Sequence, residues 1–314
     1  MTSYIIRRLI YTVFIILIVS FIAFMILHLI PGDPVIVMLG AEATHEEISK
    51  LRQELWLDHS LPVQYFHWIS NALQGDFGLS ILYREKVMPL VFQRLIVTLH
   101  LGLLAFIFST VIAIPAGVIS AVRRGGYLDS LITLFANLGV SVPVFWLGIL
   151  MIYVFGLKLG LLPIFGYTPP FDDFWLSLKK SVMPVLCLAV LPVASIARQT
   201  RSSMLEVIGQ DYIRTAWAKG LRERAIVLGH ALRNALIPVV TLQGMMIRVI
   251  VGGAALTETV FNIPGMGSLI VRAVFQRDYV LVQACIMIIA LAVALANLLV
   301  DISYAWLDPR IRYE

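Results

Sequence analysis

Charged side chains are scarce in this sequence. Of its 314 residues only 14% are Asp, Glu, Lys or Arg, whereas 60% are hydrophobic, and the mean hydropathy is +0.89. Soluble domains carry about a quarter of charged residues, so the scarcity excludes an ordinary soluble globular protein. Apolar runs of about 20 residues recur, and each is long enough to cross roughly 30 Å of hydrocarbon. The composition therefore predicts a polytopic membrane protein.

The sequence also lacks the residue patterns of catalytic and cofactor sites. Cys187 and Cys285, the 2 cysteines, lie far apart in apolar segments, as is typical of small buried side chains rather than of a redox pair. The absence of a Gly-Lys dipeptide excludes a Walker A loop, and "THEE" at 44–47 lacks the second histidine of the zinc-protease motif. We interpret His28 and His100 as hydrogen-bonded structural residues. We therefore expect no enzyme chemistry, metal site or cofactor in this chain.

Six membrane-spanning helices are predicted. Their approximate ranges are 9–30, 95–121, 131–157, 182–197, 236–256 and 280–304. The first ends at "PGDP", because proline cannot continue a helix, and its apolar part is too long for a cleaved signal peptide. The fourth is short and contains Pro184 and Pro192. Pro115 and Pro143 also lie inside predicted spans, where neighbouring helices can cover the freed carbonyl groups.

Basic residues concentrate in four of the segments outside the spans. These segments contain Arg7 and Arg8, Arg123 and Arg124, Arg310 and Arg312, and seven Lys or Arg residues between 198 and 233. With six spans all four lie on one side, and the positive-inside rule makes that side the cytoplasm. We expect both termini there. The same rule explains the net charge of +5 without nucleic-acid binding.

A long, net acidic insertion separates the first two spans. Its stretch "THEEISKLRQEL" begins with a capping box, Thr44 and Glu47, and a second short helix is expected after Pro62. The predicted organisation is an N-terminal transmembrane helix (1–30), an extracytoplasmic helical insertion (31–94), a five-helix core (95–304) with a polar loop at about 201–235, and a cytoplasmic tail (305–314).

The most polar stretch is "DYIRTAWAKGLRERAIVLGHALRN", residues 211–234, between the fourth and fifth spans. The negative charge of Asp211 is favourable at a helix N-terminus, and the positive charge of Lys219 is favourable in the last turn. Gly220 can adopt the left-handed conformation of the residue that follows a helix. This helix of about three turns has one apolar face, formed by Tyr212, Ile213, Ala216 and Trp217. The face needs a cover, either the lipid surface or a groove on another protein. We favour a protein, because so short and polar a helix binds membranes weakly.

Arg248 lies about halfway along the fifth span, where a charge needs solvation or a partner. Gly244 and Gly252 share its helical face, and such small residues indicate close packing, so we expect Arg248 to point into the bundle. It either pairs with a carboxylate or backbone carbonyls, or lines a translocation path and attracts an anionic group. Glu258 and Asp301 lie near span ends, where we expect carboxylates to reach water.

The polar stretch resembles the coupling loop of binding-protein-dependent ABC transporter permeases. The general pattern is Glu-Ala-Ala, three residues, Gly, nine residues, Ile-x-Leu-Pro, and Ala216, Gly220 and Leu232 match it by position. The departures are similar to the dipeptide, oligopeptide and nickel branch, which typically reads "DYIRTARAKG…HALRNA…P"; Trp217 replaces an Arg frequent there. Seven more segments resemble that branch in order: "HLIPGDP" (28–34), "GDFGLS" (75–80), "SVPVFWLGIL" (141–150), "RQTRSSMLEV" (198–207), "LTETVFNIPGMG" (256–267), "QRDYVLVQ" (276–283) and "DPRIR" (308–312).

The resemblance implies an all-α membrane protein with the type I ABC importer permease fold, in a bacterial or archaeal cytoplasmic (inner) membrane. It implies a second homologous permease subunit, two cytoplasmic ATPase subunits that bind ATP and Mg, and an extracytoplasmic solute-binding protein. The residues that would couple to the ATPase are Asp211, Tyr212, Ile213, Arg214, Thr215, Ala216, Trp217, Lys219 and Gly220. ATP-driven closure of the ATPases would switch the paired permeases from inward-facing to outward-facing.

The implied function is import of peptides or a similar small solute. Glutathione, nickel and metallophore complexes remain alternatives within the branch, as does a homodimer in place of a heterodimer. The alternative from another class is an ATP-independent secondary transporter. In that case Arg248 and Glu258 would form a coupling relay, and the helix at 211–220 would have no partner.

Overall fold

Helices dominate the described part of the chain, which in this computed structural model comprises residues 2–29, 33–40 and 42–307. The helices are α1 (Thr2–His28), α2 (Pro34–Leu39), α3 (His45–Glu54), α4 (Leu61–Leu73), α5 (Val87–Val122), α6 (Tyr127–Ser141), α7 (Val144–Met151), α8 (Phe174–Ile208), α9 (Asp211–Ala218), α10 (Leu232–Val260), α11 (Met266–Phe275) and α12 (Tyr279–Leu307). Two π-helical segments, Ile152–Lys158 and Ala225–Ala231, follow α7 and precede α10. The all-α fold class is confirmed. Residues 30–32 and 308–314, which include part of "PGDP", most of the predicted tail and its arginines, lie outside the described residues.

Five helices within the described residues are long and apolar enough to cross a membrane, and a sixth span results if the bent pair α6–α7 counts as one. This agrees with the six predicted spans. However, α5 and α8 have 36 and 35 residues and extend well beyond the predicted ranges 95–121 and 182–197. Hydropathy marks only the apolar middle of such a helix, whereas α8 continues through polar residues such as Lys179 and Arg198.

The third predicted span, 131–157, is not one continuous helix. The chain bends by 105° between the helix Tyr127–Ser141 and the helix Val144–Lys158, which consists of α7 and the π-helical segment after it. Val142, at the break, has an extended backbone (φ −84°, ψ 124°), because a following proline ring disfavours the helical conformation of the preceding residue. Pro143 is the N-cap of α7. Pro115, in contrast, lies inside α5, as expected for a span proline with covered carbonyls.

The chain folds into two compact units. The cap unit comprises residues 2–97 and 264–298, and the core unit comprises residues 98–263 together with 299–307 of the described residues. This division differs from the predicted organisation, because α11 and most of α12 group with the N-terminal part of the chain.

The cap unit contains α1 to α4, and both short helices expected in the insertion form. The Thr44–Glu47 capping box is confirmed at the start of α3. The side chain of each residue accepts a hydrogen bond from the backbone amide of the other. His28 Nε2 lies 2.8 Å from Gln64 Oε1, which confirms the predicted hydrogen-bonded role of His28. The buried Asp278 carboxylate accepts hydrogen bonds from the Leu82 and Leu281 amides at 3.0 and 3.1 Å and from the Ser80 hydroxyl. These bonds join the turn before α5 to the start of α12.

The core unit is organised around α8, which packs mainly on α10 and also on α6 and α7. Gly117 of α5 marks a close approach to α8. A Cβ atom on Gly117 would lie 2.5 Å from Thr200 Cβ and 2.6 Å from the Ala197 carbonyl oxygen, distances that real Cβ atoms do not show. Only glycine therefore permits the two helices to pack at this distance.

Candidate coupling site and transport path

Helix α9 has the ends that the sequence predicts. It begins at Asp211, Lys219 is its C-cap, and Gly220 follows with φ +72°, the left-handed conformation that glycine adopts without strain. The helix is shorter than expected, however, with 8 residues or about two turns instead of about three. The helix thus ends just before the glycine whose left-handed backbone cannot continue it.

The apolar face of α9 does not project as one surface. Ile213 and Ala216 are 0% and 8% exposed and pack against this chain itself, in an apolar cluster with Val118, Ala121, Met204, Ile226, Ala231 and Ala235. Tyr212 and Trp217 are 45% and 48% exposed. At about 100° per residue, Ile213 and Ala216 lie at the centre of the face and the two aromatic residues at its edges. The expectation that all four side chains form one face for a partner is therefore wrong.

The other residues of α9, including the two aromatic residues at the edges of the face, are exposed, as are the two residues that follow the helix. We define the coupling surface as the exposed residues Asp211, Tyr212, Arg214, Thr215, Trp217, Lys219 and Gly220. Asp211 and Arg214 form an exposed ion pair at 3.3 Å, which contributes little to stability. The surface thus combines a half-exposed indole and phenol with charged groups, a composition typical of interaction hot spots.

A hydrogen bond fastens α9 to the helix that follows it. Asn234 Nδ2, in the first turn of α10, donates to Tyr212 Oη at 2.8 Å. Together with the buried Ile213 and Ala216, this bond fixes α9 to the ends of α5, α8 and α10 through the apolar cluster.

A buried ion pair lies at the same end of these helices, and sequence reasoning missed it. Arg201 of α8 donates from Nε and Nη2 to the two carboxylate oxygens of Asp129 at 2.7 and 2.8 Å. Asp129, in the first turn of α6, also accepts from the Gly125 amide at 2.9 Å and from the Ser120 hydroxyl of α5. The carboxylate therefore joins α5, α6 and α8. The only sequence signal was a lone acidic residue at the start of an apolar helix.

One face of α10 is exposed along the whole helix. It contains Ile237, Thr241, Met245, Arg248, Gly252, Leu256 and Thr259, spaced three or four residues apart. Gly244 lies on the buried side, so the structure keeps Arg248 and Gly252 together but separates Gly244 from them. The expectation that Arg248 points into the bundle of this chain is wrong, because helix periodicity shows which residues share a face but not what the face contacts.

Glu258 differs from its expected environment as well. It is 1% exposed and accepts a hydrogen bond from the Thr98 hydroxyl at 2.5 Å, so the expectation that it reaches water is wrong. Arg248 precedes it by ten residues, roughly 15 Å along the helix, and is exposed where Glu258 is buried. The two do not form the pair that a coupling relay would need. The side chain of Asp301 lies outside the described residues.

The usual metal-binding side chains do not cluster in the described part of the chain. The described residues contain no group of three or more His, Cys, Asp or Glu side chains that could hold a metal ion. Both cysteines are buried, as expected. His100 Nδ1 lies 3.0 Å from Tyr167 Oη, which confirms that His100 is hydrogen-bonded. Burial, and to a smaller extent the charge of Asp172, raises the pKa of the Tyr167 hydroxyl above its ordinary value.

Comparison with known proteins places this geometry in a family. Residues 113–313 match the model described as binding-protein-dependent transport system inner membrane component, and residues 1–102 match its N-terminal counterpart. The chain is 42% identical over 313 residues to the probable peptide ABC transporter permease protein y4tP of Sinorhizobium fredii. It is 42% identical over 314 residues to the glutathione transport system permease protein GsiC of Escherichia coli K12, and 38% identical over 333 residues to the dipeptide transport system permease protein DppB of Alkalihalophilus pseudofirmus. Each comparison covers 100% of both chains.

The fold is also similar to a solved structure. A chain of the MetNI methionine ABC transporter, in an inward-facing conformation, superimposes with a TM-score of 0.59 at 21% identity, over 70% of this chain and 97% of that one. At this identity the similarity concerns the fold alone. From the family models and the full-length relatives, the chain belongs to the family of binding-protein-dependent transport system inner membrane components.

Proposed function

We propose that this chain is one permease subunit of an ATP-driven importer for peptides or a similarly sized solute. The family and the full-length relatives named for peptide, dipeptide and glutathione transport support this proposal. Glutathione is itself a small peptide, so these names share one substrate class. Nickel and metallophore complexes are the alternative within the same branch.

The observation that carries the proposal is the division of α9 between a buried and an exposed side. A cytoplasmic ATPase subunit binds the coupling surface. Ile213 and Ala216 transmit the movement of that subunit to α5, α8 and α10 through the apolar cluster. Each of two ATPase subunits binds ATP and Mg, and the nucleotide-binding residues belong to those subunits. ATP then favours one of two arrangements of the paired permeases.

The exposed face of α10 is the proposed lining of the transport path. A charge halfway along a span is costly unless water or a partner solvates it, and Arg248 is exposed on this chain. A second, homologous permease subunit facing α10 would enclose the path. Arg248 and Gly252 then face the passing solute, and Gly244 contributes only to helix packing.

The proposed orientation puts α9 and both termini in the cytoplasm and the insertion of residues 31–94 outside. The concentration of basic residues around α9 supports it. A binding protein outside the membrane delivers the solute to the permease pair.

The test is isolation and reconstitution of the complex. We expect a tagged chain to co-purify with a homologous permease and an ATPase subunit, and vesicles to take up peptide only with internal ATP and the binding protein. Uptake that persists without ATP but follows an ion gradient would instead establish a secondary transporter. Glu258, buried against Thr98 and separated from Arg248, argues against that alternative.

A further inference from the structure

A cavity of about 280 Å³ lies within the cap unit, between α1, α3, α4 and the start of α12. Aromatic rings form much of its wall, with Phe24 from α1, Trp68 from α4 and Phe77 from the following loop. Phe24 and Phe77 are themselves buried, so these walls are fixed by packing. The volume is at the small end for ligand sites and suits one or two amino-acid residues rather than a large solute.

Two of the polar side chains in the wall are already engaged within the protein. Gln64 contacts His28 Nε2 through Oε1 at 2.8 Å and donates through Nε2 to the His59 carbonyl at 2.7 Å. Gln283 Nε2 donates to the Phe24 carbonyl at 3.2 Å. These bonds hold α1, α4 and α12 around the cavity, and they leave its interior predominantly apolar.

Glu54 is the only acidic residue among the described residues that line the cavity. The surroundings of its carboxylate favour a bound cation. It is exposed and is the last residue of α3, so the negative end of the helix dipole reinforces its carboxylate instead of balancing it. Among the described residues it forms no ion pair, and Arg52, two residues earlier, is paired with Asp33. The structure thus leaves a negative charge uncompensated at the rim of an aromatic cavity.

The net negative charge of the insertion that contains Glu54 also favours a cation. Residues 31–94 contain eight Asp and Glu against five Lys and Arg, although the whole chain has a net charge of +5. An acidic region raises the local concentration of cations near its surface. A bare metal ion is not a suitable occupant, because it needs several ligands, the described lining provides a single carboxylate, and the described residues contain no group of three or more His, Cys, Asp or Glu that could hold such an ion.

We propose that this cavity binds the amino-terminal residue of a peptide, with its ammonium group on Glu54 and its apolar side chain between Phe24, Trp68 and Phe77. Aromatic rings attract ammonium groups as well as apolar side chains, so both parts of such a residue find partners. The inference rests on the proposed function, because it needs a peptide substrate and an outward-facing insertion. It adds a weak substrate site within the cap unit of the permease.

Direct binding of dipeptides tests the proposal without the binding protein. The full-length chain in lipid nanodiscs would be titrated with Phe-Ala, with N-acetyl-Phe-Ala, which has no ammonium group, and with Gly-Ala, which has no aromatic side chain. We expect acetylation to weaken binding about fivefold, as for one exposed ion pair at the upper end of its usual range, and loss of the phenyl group to weaken it at least about tenfold, as for one buried aromatic side chain. Equal affinity for Phe-Ala and its acetylated form would overturn the proposal.

The protein-side variants are Glu54→Gln and, as the matched control, Glu46→Gln. Glu46 is an exposed residue of the same helix that does not line the cavity. Glu54→Gln is expected to reduce the affinity for Phe-Ala about fivefold and leave that for N-acetyl-Phe-Ala unchanged, whereas Glu46→Gln changes neither. Wild-type affinity for Phe-Ala in Glu54→Gln would also overturn the proposal.

The test separates this inference from the proposed function. If ATP-dependent uptake by the reconstituted complex is normal but the permease alone binds no Phe-Ala, only the cavity site is refuted. If the complex shows no ATP-dependent uptake of any peptide, the proposed function fails instead. A Glu54→Gln variant that loses affinity for the binding protein, without direct dipeptide binding, would show that the cavity serves the receptor and would overturn the peptide site.

Discussion

The division of α9 into a buried and an exposed side predicts that two neighbouring substitutions fail in different ways. Trp217→Ala removes an indole that is 48% exposed on the coupling surface, so it should leave the permease folded and weaken its attachment to the ATPase. Ile213→Ala removes a fully buried side chain from the apolar cluster, so it should loosen α9 itself. A partner that covered all four apolar residues of α9 would make both substitutions act on assembly alone.

The expected magnitudes follow from the two environments. Truncating a buried isoleucine to alanine costs about 2–5 kcal/mol, and we expect roughly 3 kcal/mol for Ile213→Ala because the cluster has several contributing helices. Truncating a tryptophan at an interaction hot spot costs about 2 kcal/mol of binding free energy, or roughly a 30-fold rise in Kd for the ATPase. The stability of the permease alone should change by less than about 0.5 kcal/mol in Trp217→Ala, as for other surface substitutions.

Two measurements on the same purified variants separate these effects. Amide hydrogen exchange in nanodiscs reports local opening of α9, and a binding titration with the isolated ATPase subunit reports assembly. Trp175→Ala is the matched control, because Trp175 is 71% exposed and lies near the start of α8, roughly 50 Å of helix from α9. It should change neither exchange in α9 nor ATPase affinity.

Either of two results would refute the reasoning. If Trp217→Ala binds the ATPase with wild-type affinity and supports ATP-driven uptake, the coupling surface is wrongly assigned. If Ile213→Ala leaves amide exchange in α9 unchanged while abolishing ATPase binding, Ile213 contacts the partner, and the buried cluster does not describe the assembled protein.

Four further predictions follow from other contacts. Gly117→Ala should lower the melting temperature of the permease strongly, whereas Gly229→Ala, which has open space around it, should not. Asp129→Asn should cost about 2–3 kcal/mol in denaturant unfolding, because a buried carboxylate is lost while its partner is only a third exposed; an effect below about 0.5 kcal/mol would contradict a structural role. Arg248→Met should reduce uptake of peptides with additional carboxylates several-fold more than uptake of neutral ones, and equal uptake with normal assembly would exclude Arg248 from the path. Hydrogen bonds from Thr44 lower the pKa of Glu47 below its usual 4.5, so the stability that the capping box adds to α3 is present above that pH and is lost as the pH falls below it; amide exchange at the start of α3 should show this loss, and Glu47→Gln should abolish it.

Local sequence signals were sufficient for the ends of the short helices. The start of α9 at Asp211, the left-handed Gly220 and the Thr44–Glu47 capping box were all predictable, because each depends on residues within four positions of one another. The number of spans was predictable for a similar reason, since length and hydropathy of one segment decide whether it can cross a membrane.

Contacts between distant segments were not predictable from one sequence. Asp129 and Arg201 are 72 residues apart, and nothing in either neighbourhood indicates that they meet. Glu258 was expected near water from its position along α10, but the hydroxyl of Thr98, on another helix, holds it in a buried position. In each case the environment of a charged group depends on which helices lie beside it.

The apolar face of α9 was misassigned for the same reason, because its contacts come from distant segments of the chain. Those contacts also decide how α9 can respond to a partner. An isolated helix of 8 residues is unstable in water, so α9 exists because Ile213 and Ala216 pack in a cluster with residues of α5, α8, the π-helical segment Ala225–Ala231 and α10. A partner that binds the coupling surface and displaces α9 therefore has one of two effects. It either moves the ends of those helices or breaks the packing that keeps α9 folded. Breaking it would cost at least the burial of one isoleucine, roughly 3 kcal/mol, in addition to the few kcal/mol by which the two states of a bistable permease differ. In the proposed assembly, movement of the helices avoids that additional cost, and a short, firmly packed α9 would for that reason transmit force better than a longer helix that projects freely.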